Sequence, residues 1–526
     1  MNKRNPWPVL PLVAGLASGL LTGCGSGTGD SGGTGPAVVM GMSDDVLATD
    51  PASGYDPGSW LLFDNVFQSL LSFPKGATEP EPELAKSCGF TDTRATVYRC
   101  ELKDGLRFSN GDPLTSADVK FSFERMLRID DPAGPAIMFP MLGTIATPDA
   151  RTVVFHLKVP DATFPSKIAS GAGSVVDHRQ YDANGLRTDH KAVGSGPYQL
   201  DSFDKEQAVF SVNTHYKGTA EVKNSGVTLK FFHGDRTALK RALLDGAVDI
   251  AYRGLAASDI AGLDRQKDDK GVEVIEGTSA EVQHLVFDMK DPVAGKLGVR
   301  RAMAYLIDRD ALIENVYQGT ATPLYSIIPA GIAGHNTAFF DTYGARPSRA
   351  RAAAALRADG ITGKVKLTLW STPSRYGPAT DEELKAVAGQ LNASGLFDAD
   401  VRSAPFGRYE KEIARGRYGV YVKGWVPDYP DADNFTAPFF GKGNVLENHY
   451  GNRTITGSLL PATAAQSDRA ATDKEFGRLQ DIVADELPVL PVWQAKQYAV
   501  VRDGVYGLEY CLDASTVFRF WELSKS

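Results

Sequence analysis

Between Tyr98 and Leu127 the chain reads YRCELKDGLRFSNGDPLTSADVKFSFERML, and local chemistry accounts for almost every position in it. Tyr98, Cys100 and Leu102 alternate with Arg99, Glu101 and Lys103, the period of a half-buried strand. Asp104-Gly105 and Asn110-Gly111 follow, pairs that tolerate the positive φ of tight turns. After Pro113, Thr115 is placed to cap a helix and Asp118 to complete a capping box three residues on. Val119, Phe123, Met126 and Leu127 then share one helical face. The run predicts strand, turns and helix, with Asp104, Asn110 and Asp112 as turn residues and not catalytic acids.

The same alternation of element types continues downstream. The run Arg349 to Ala358 reads as a helix ended by Gly360, Val365, Leu367 and Leu369 as a strand, and Glu382 to Leu391 as a helix again. Val299, Met303, Leu306 and Ile307 mark one helical face before a second helical run from Asp310 to Tyr317. Phe476, Leu479, Ile482 and Val483 mark another helix, stopped before Pro488. This is α/β organisation, and about five hundred residues call for two or three domains.

At the amino end Lys3 and Arg4 precede an apolar stretch, Trp7 to Leu21, that is short for a membrane span and reads as a signal peptide, residues 1–23. It closes on Leu21-Thr22-Gly23-Cys24, which has the form of a lipobox with Cys24 as the lipidated residue. Burying acyl chains at about 0.8 kcal/mol per methylene makes two or three of them a durable anchor. Residues 24–36 then form a flexible Gly/Ser/Thr tether. Two enzyme-like strings fall in it, Gly29-Asp30-Ser31-Gly32-Gly33 and the G-x-G-x-x-G of Gly27 to Gly32. Neither has the rigid turn, base or flanking strand and helix that its chemistry needs.

Formal net charge is −8, or −10 once Lys3 and Arg4 leave with the signal, without long runs of one sign, which argues against a nucleic-acid partner. The eight histidines are scattered with no H-E-x-x-H or close pair, so no metal site or cofactor is expected. Of the four cysteines, Cys88 and Cys100 flank a polar stretch, Gly89 to Thr96, suited to the turn of a hairpin. A disulfide across it would contribute about 2 to 3 kcal/mol. Cys511 is left as a buried structural thiol, having no histidine in its sequence neighbourhood.

The Tyr98–Leu127 run resembles the signature segment of the family 5 extracellular solute-binding proteins, the dipeptide- and oligopeptide-binding components of ABC importers. Further segments resemble the same family: Phe63 to Leu71 its early helix, Val193-Gly194-Ser195-Gly196-Pro197-Tyr198 its GTGPY turn, Val299-Arg300-Arg301-Ala302 through Asp308-Arg309 its VRqA...iDR helix, and Leu487 to Pro491 its late segment. The resemblance implies a class II periplasmic-binding-protein fold, two α/β lobes joined at a hinge plus an inserted extra domain. Lobe I would combine residues 37–70, 191–279 and 492–526; residues 71–190 would form the inserted domain and 280–491 the second lobe.

It also implies capture without catalysis: a lipid-anchored monomer at the outer face of the cytoplasmic membrane or in the periplasm, delivering short peptides to a permease. The alternatives are a receptor for a non-peptide solute such as an oligosaccharide or opine, or a peptide-signal sensor; a secreted hydrolase lacks a catalytic constellation in this sequence. The ligand site is expected in Lys423-Gly424-Trp425-Val426-Pro427-Asp428-Tyr429-Pro430-Asp431-Ala432-Asp433-Asn434-Phe435, which resembles the family's G-W-x-x-D-Y segment. By that resemblance Asp428 pairs with a peptide's α-ammonium, with Trp425 and Tyr429 beside it. Ala432 stands where many members have proline. Two other readings remain open: the aspartates of this loop satisfy backbone amides, and Trp425 is ordinary core.

Overall fold

Two long antiparallel strands, Val272–Phe287 and Val489–Arg502, form the spine of an eleven-stranded mixed sheet. The computed structural model describes residues 35–266, 270–373, 375–377 and 379–526. The expected signal peptide, Cys24 and most of the tether, with its two enzyme-like strings, lie outside them.

Across the sheet the order is Phe397–Ser403, Val365–Ser371, Val420–Trp425, then the two long strands, then Ile250–Tyr252, Val38–Met42, Gly226–Phe231, Gln207–Val212 and Tyr198–Phe203. A short strand, Ala321–Pro323, pairs with the second long strand off this path. The two long strands stay in register from Val272↔Arg502 to Thr278↔Lys496, break, and resume at Val282↔Gln494. Beyond the break Val282 to Phe287 are all buried, as in a strand covered on both faces.

The break also separates hydrophobic cores. One core runs from Ala280 to Trp493 and includes Val299, Met303, Leu384 and Phe476 from the covering helices. A second gathers Val38, Met40, Phe63, Leu229, Ile250 and Phe520. A third is built around a four-stranded antiparallel sheet, Ala85–Phe90, Val97–Leu102, Thr152–Leu157 and Leu142–Ala146, and holds Tyr98, Phe123, Phe155 and Phe164. Tyr429 joins this third core, although its loop neighbours Ala432 and Phe435 belong to the first.

The 98–127 segment folds as its residues dictate. Tyr98, Cys100 and Leu102 point inward from the strand Val97–Leu102, and Gly105 and Gly111 turn at φ +67° and +87°. Asp118 Oδ2 accepts from the backbone N–H of Thr115 at 2.8 Å and from its hydroxyl at 3.0 Å, starting the helix Ser116–Ile129. Cys88 and Cys100 face each other across the hairpin and are joined by a disulfide.

Helices Leu297–Leu306, Arg349–Ala358, Thr380–Ala393 and Asp473–Glu486 lie where the periodicity places them. Two expectations need correction. The early helix is Pro57–Val66, not Phe63 to Leu71: Asp56 Oδ1 accepts from Ser59 N–H at 2.8 Å and Pro57 opens the first turn, while Phe67 already has extended backbone. The helix expected over Asp310–Tyr317 is Arg309–Asn315, capped by Asp308.

Candidate ligand-binding site

The strand Val420–Trp425 pairs with Val282–Phe287 and delivers its chain, at Trp425, to the seam where the first and third cores meet. There the loop turns through Asp428 and Tyr429 into a short 3₁₀ turn, Ala432–Phe435. Asp431 caps that turn, Oδ1 accepting from Asp433 N–H at 2.8 Å, and is held by Arg469, whose Nε and Nη2 donate at 2.8 and 2.7 Å. This bidentate pair fixes the loop where Ala432 replaces the proline expected there.

Asp428 is used differently. Its Oδ1 accepts from the Tyr55 hydroxyl at 2.7 Å and its Oδ2 from Asn434 Nδ2 at 3.2 Å. Among the described residues it accepts no backbone amide and has no ion-pair partner. Burial pushes its carboxyl above the ordinary value, while Tyr55, Asn434 and the charge of Lys167 pull the other way. A half-buried carboxylate oriented by two neutral donors and left without a cation can receive one.

Asn434 ties the site together. Its Oδ1 accepts from Trp425 Nε1 at 2.8 Å and from Asp428 N–H at 3.0 Å, so one fully buried side chain sets both residues. Trp425 is half-buried, its ring 5.1 Å from Phe439 and nearly perpendicular to it. Tyr429 is only 4% exposed; Thr163 lies 3.5 Å from its hydroxyl, which donates to Asp433 Oδ2 at 3.3 Å. Its ring is a packing contact across the seam. Nearby Lys167 pairs with Asp161 at 2.7 Å, and burial pushes the Asp433 carboxyl up to about 6, partly offset by Lys167 and Arg469.

The family resemblance points to Trp425, Asp428 and Tyr429, and the structure places all three at this seam. The resemblance missed Tyr55, 373 residues from Asp428, and gave no role to Asn434, although that residue lies in the same segment. Cys511 is buried, with its thiol pushed up to about 12 by burial, the environment of a packed and unreactive sulfur. Asp118, Asp177 and His178 approach one another closely enough to resemble a metal-binding group. Their oxygens are engaged by Thr115, Asn110, Arg179 and His178 itself.

Residues 79–447, more than half of the chain, match the family model described as bacterial extracellular solute-binding proteins, family 5 middle. The chain belongs to this family. A probable D,D-dipeptide-binding periplasmic protein of Escherichia coli strain K12 is 26% identical over 502 residues, covering 93% of this chain and 94% of the relative. Among solved structures, HbpA2 from Haemophilus parasuis superposes with a TM-score of 0.81 at 20% identity, over 93% of this chain and 100% of that one. The ABC transporter-associated periplasmic binding protein DppA from Helicobacter pylori, in complex with the peptide STSA, gives 0.76 at 21% identity over 93% and 98%. The fold is therefore that of the periplasmic binding proteins, and at the level of the family the chain is a solute-binding protein and not an enzyme. No helix among the described residues is long and apolar enough to cross a membrane.

Proposed function

We propose that this chain captures short peptides with a free amino terminus and presents them to the permease of an ABC importer. The carrying observation is Asp428, a half-buried carboxylate gripped by Tyr55 and Asn434 yet without an ion-pair partner among the described residues. A peptide α-ammonium supplies the missing charge through a charge-assisted hydrogen bond, and ligands without one leave the carboxylate unpaired. Two of the similar proteins, a probable D,D-dipeptide-binding protein and a binding protein in complex with the peptide STSA, support the same ligand class.

In this reading lobe I (residues 37–70, 191–279 and 492–526) and the second lobe (280–491) close on the ligand about the two long strands, with residues 71–190 as an inserted domain. Lipid on Cys24 would hold the receptor as a monomer at the outer face of the cytoplasmic membrane, within reach of the permease. Calorimetry with a free dipeptide and its N-acetylated form tests the ligand class. The free dipeptide is expected to bind and the acetylated one to lose about 2 to 4 kcal/mol. Equal affinities would remove the ammonium from recognition and favour a non-peptide solute.

A further inference from the structure

Away from the Asp428 seam, a cavity of about 330 Å³ opens between the end of the Pro57–Val66 helix, the loop around Tyr216 to Lys223 and the carboxy-terminal residues Val517 to Glu522. None of Tyr55, Trp425, Asp428 or Asn434 lines it. Its size falls in the range of small-molecule sites. Phe63, Phe73 and Trp521 give it apolar and aromatic walls.

The ionisable groups around it are unevenly satisfied. Lys75 and Lys223 both pair with Glu522, at 2.9 and 2.6 Å. Glu83 accepts from Gln68, Tyr216 and Thr219 at 2.6, 2.9 and 3.0 Å. Arg519 spends its hydrogen bonds on Asp513, Ser515 and backbone carbonyls. Asp64 has no hydrogen-bond or ion-pair partner among the described residues, although it is half-buried. It also occupies the last turn of its helix, where the carbonyl ends disfavour an anion. Burial and the carbonyl end of the helix oppose a carboxylate here, and Arg519 favours it only from beyond ion-pair distance, so Asp64, set against a cavity, can take a cation from outside the chain.

We propose that this cavity is a second ligand site, taking a small monocationic amine whose ammonium is held by Asp64 and whose apolar body lies against Phe63, Phe73 and Trp521. The lining favours that sign of charge. Asp64, Glu81, Glu83, Glu221 and Glu522 supply five carboxylates against the three cations Lys75, Lys223 and Arg519. Two of those cations, Lys75 and Lys223, share the single carboxylate of Glu522. Burial also pushes the Asp64 carboxyl up to about 7, with Arg519 pulling it down. An ammonium binds the ionised form, so affinity rises as pH passes upward through that value and binding releases a proton.

The probe is 2-phenylethylamine, titrated into the purified chain at pH 8 by calorimetry and by ligand-observed NMR. Saturable one-to-one binding is expected, weakened at least about tenfold by Asp64→Asn, the loss of one charge-assisted contact. Asp428→Asn should leave amine binding unchanged, and Asp64→Asn should leave dipeptide binding unchanged, so the two sites succeed or fail separately. A crystal of the unmodified protein soaked in the amine gives a readout that needs no variant, with the ammonium about 3 Å from Asp64 expected. Absence of saturable binding, undiminished binding by a folded Asp64→Asn, or density for the amine only elsewhere would each overturn the proposal.

Discussion

Three donors converge on Oε2 of Glu383: the side-chain amide of Gln283, the hydroxyl of Tyr317 and, at 3.0 Å, the indole N–H of Trp493. Oε1 is buried without a partner among the described residues. Burial pushes this carboxyl from 4.5 up to about 7, against the pull of Tyr317 and Trp493. The folded state therefore keeps the proton to higher pH than the unfolded chain, so this group's contribution to stability falls as pH rises from about 4.5 to 7. Glu383→Gln removes the titration while keeping an acceptor for the donors. In urea unfolding, the variant should gain on the wild type by about 3 kcal/mol between pH 5 and pH 8. A stability difference identical at both pH values would rule the protonated form out. Asp428 is the other extreme, a carboxylate partly desolvated but left facing a seam. Asp428→Asn should cost a free dipeptide about 2 to 4 kcal/mol by calorimetry, and Tyr55→Phe, which removes a single neutral donor, only about 0.5 to 1.5. A larger loss for Tyr55→Phe than for Asp428→Asn would make the tyrosine, not the carboxylate, the primary contact.

At the scale of elements, legibility followed how much of each element's stabilisation is local. The Ser116–Ile129 helix was readable because Thr115 and Asp118 cap it within four residues. Asp118 is fully buried and also lies 2.6 Å from Nδ1 of the exposed His178, so Asp118→Ala both uncaps the helix and removes the partner of that imidazole. A loss of about 1 to 3 kcal/mol is expected in chemical denaturation. A change within a few tenths would mean the cap is dispensable. The Pro57–Val66 helix was misplaced because Leu61, Leu62, Phe63, Val66, Phe67, Leu70 and Leu71 are all buried, leaving no polar face to set its phase. Pro491 violates the pattern of a central strand, and the structure resolves the conflict with a bulge: pairing slips between Gln283 and His284, and Pro491 O accepts from Arg309 Nε at 2.8 Å. In the candidate site, Trp425 and Asp428 were legible because they fall within one short segment that resembles the family's G-W-x-x-D-Y. Tyr55 and Asn434 were not, since their roles exist only once the 428 loop packs against the start of the chain.

For the whole molecule, the proposed closure on a ligand needs a place to bend, and the break in pairing between Thr278 and Val282 offers one. Ser279, Ala280 and Glu281 lack ladder partners there, while Gln494 Nε2 holds Ser279 O at 2.7 Å and Ala330 O at 3.0 Å from the facing strand. Rotation about these residues leaves the packed cores on either side intact. Contacts that oppose opening include, among the described residues, the Tyr55–Asp428 hydrogen bond, the Ala162 N–H donating to Ala464 O at 2.7 Å, and the Tyr429 ring with its hydroxyl 3.5 Å from Thr163 and Lys167 over its face. A handful of such contacts shifts an open–closed equilibrium by a few kcal/mol at most, so a ligand bound in the seam can dominate it. Small-angle scattering should show the radius of gyration falling on saturation with a dipeptide. Tyr429→Leu, which trims the ring crossing the seam, should enlarge the ligand-free particle and weaken binding by about tenfold, since closure then costs the ligand about 1.4 kcal/mol more. A radius unchanged by saturating dipeptide, in wild type and variant alike, would mean that the seam is permanently closed and that binding proceeds without rotation at residues 279–281.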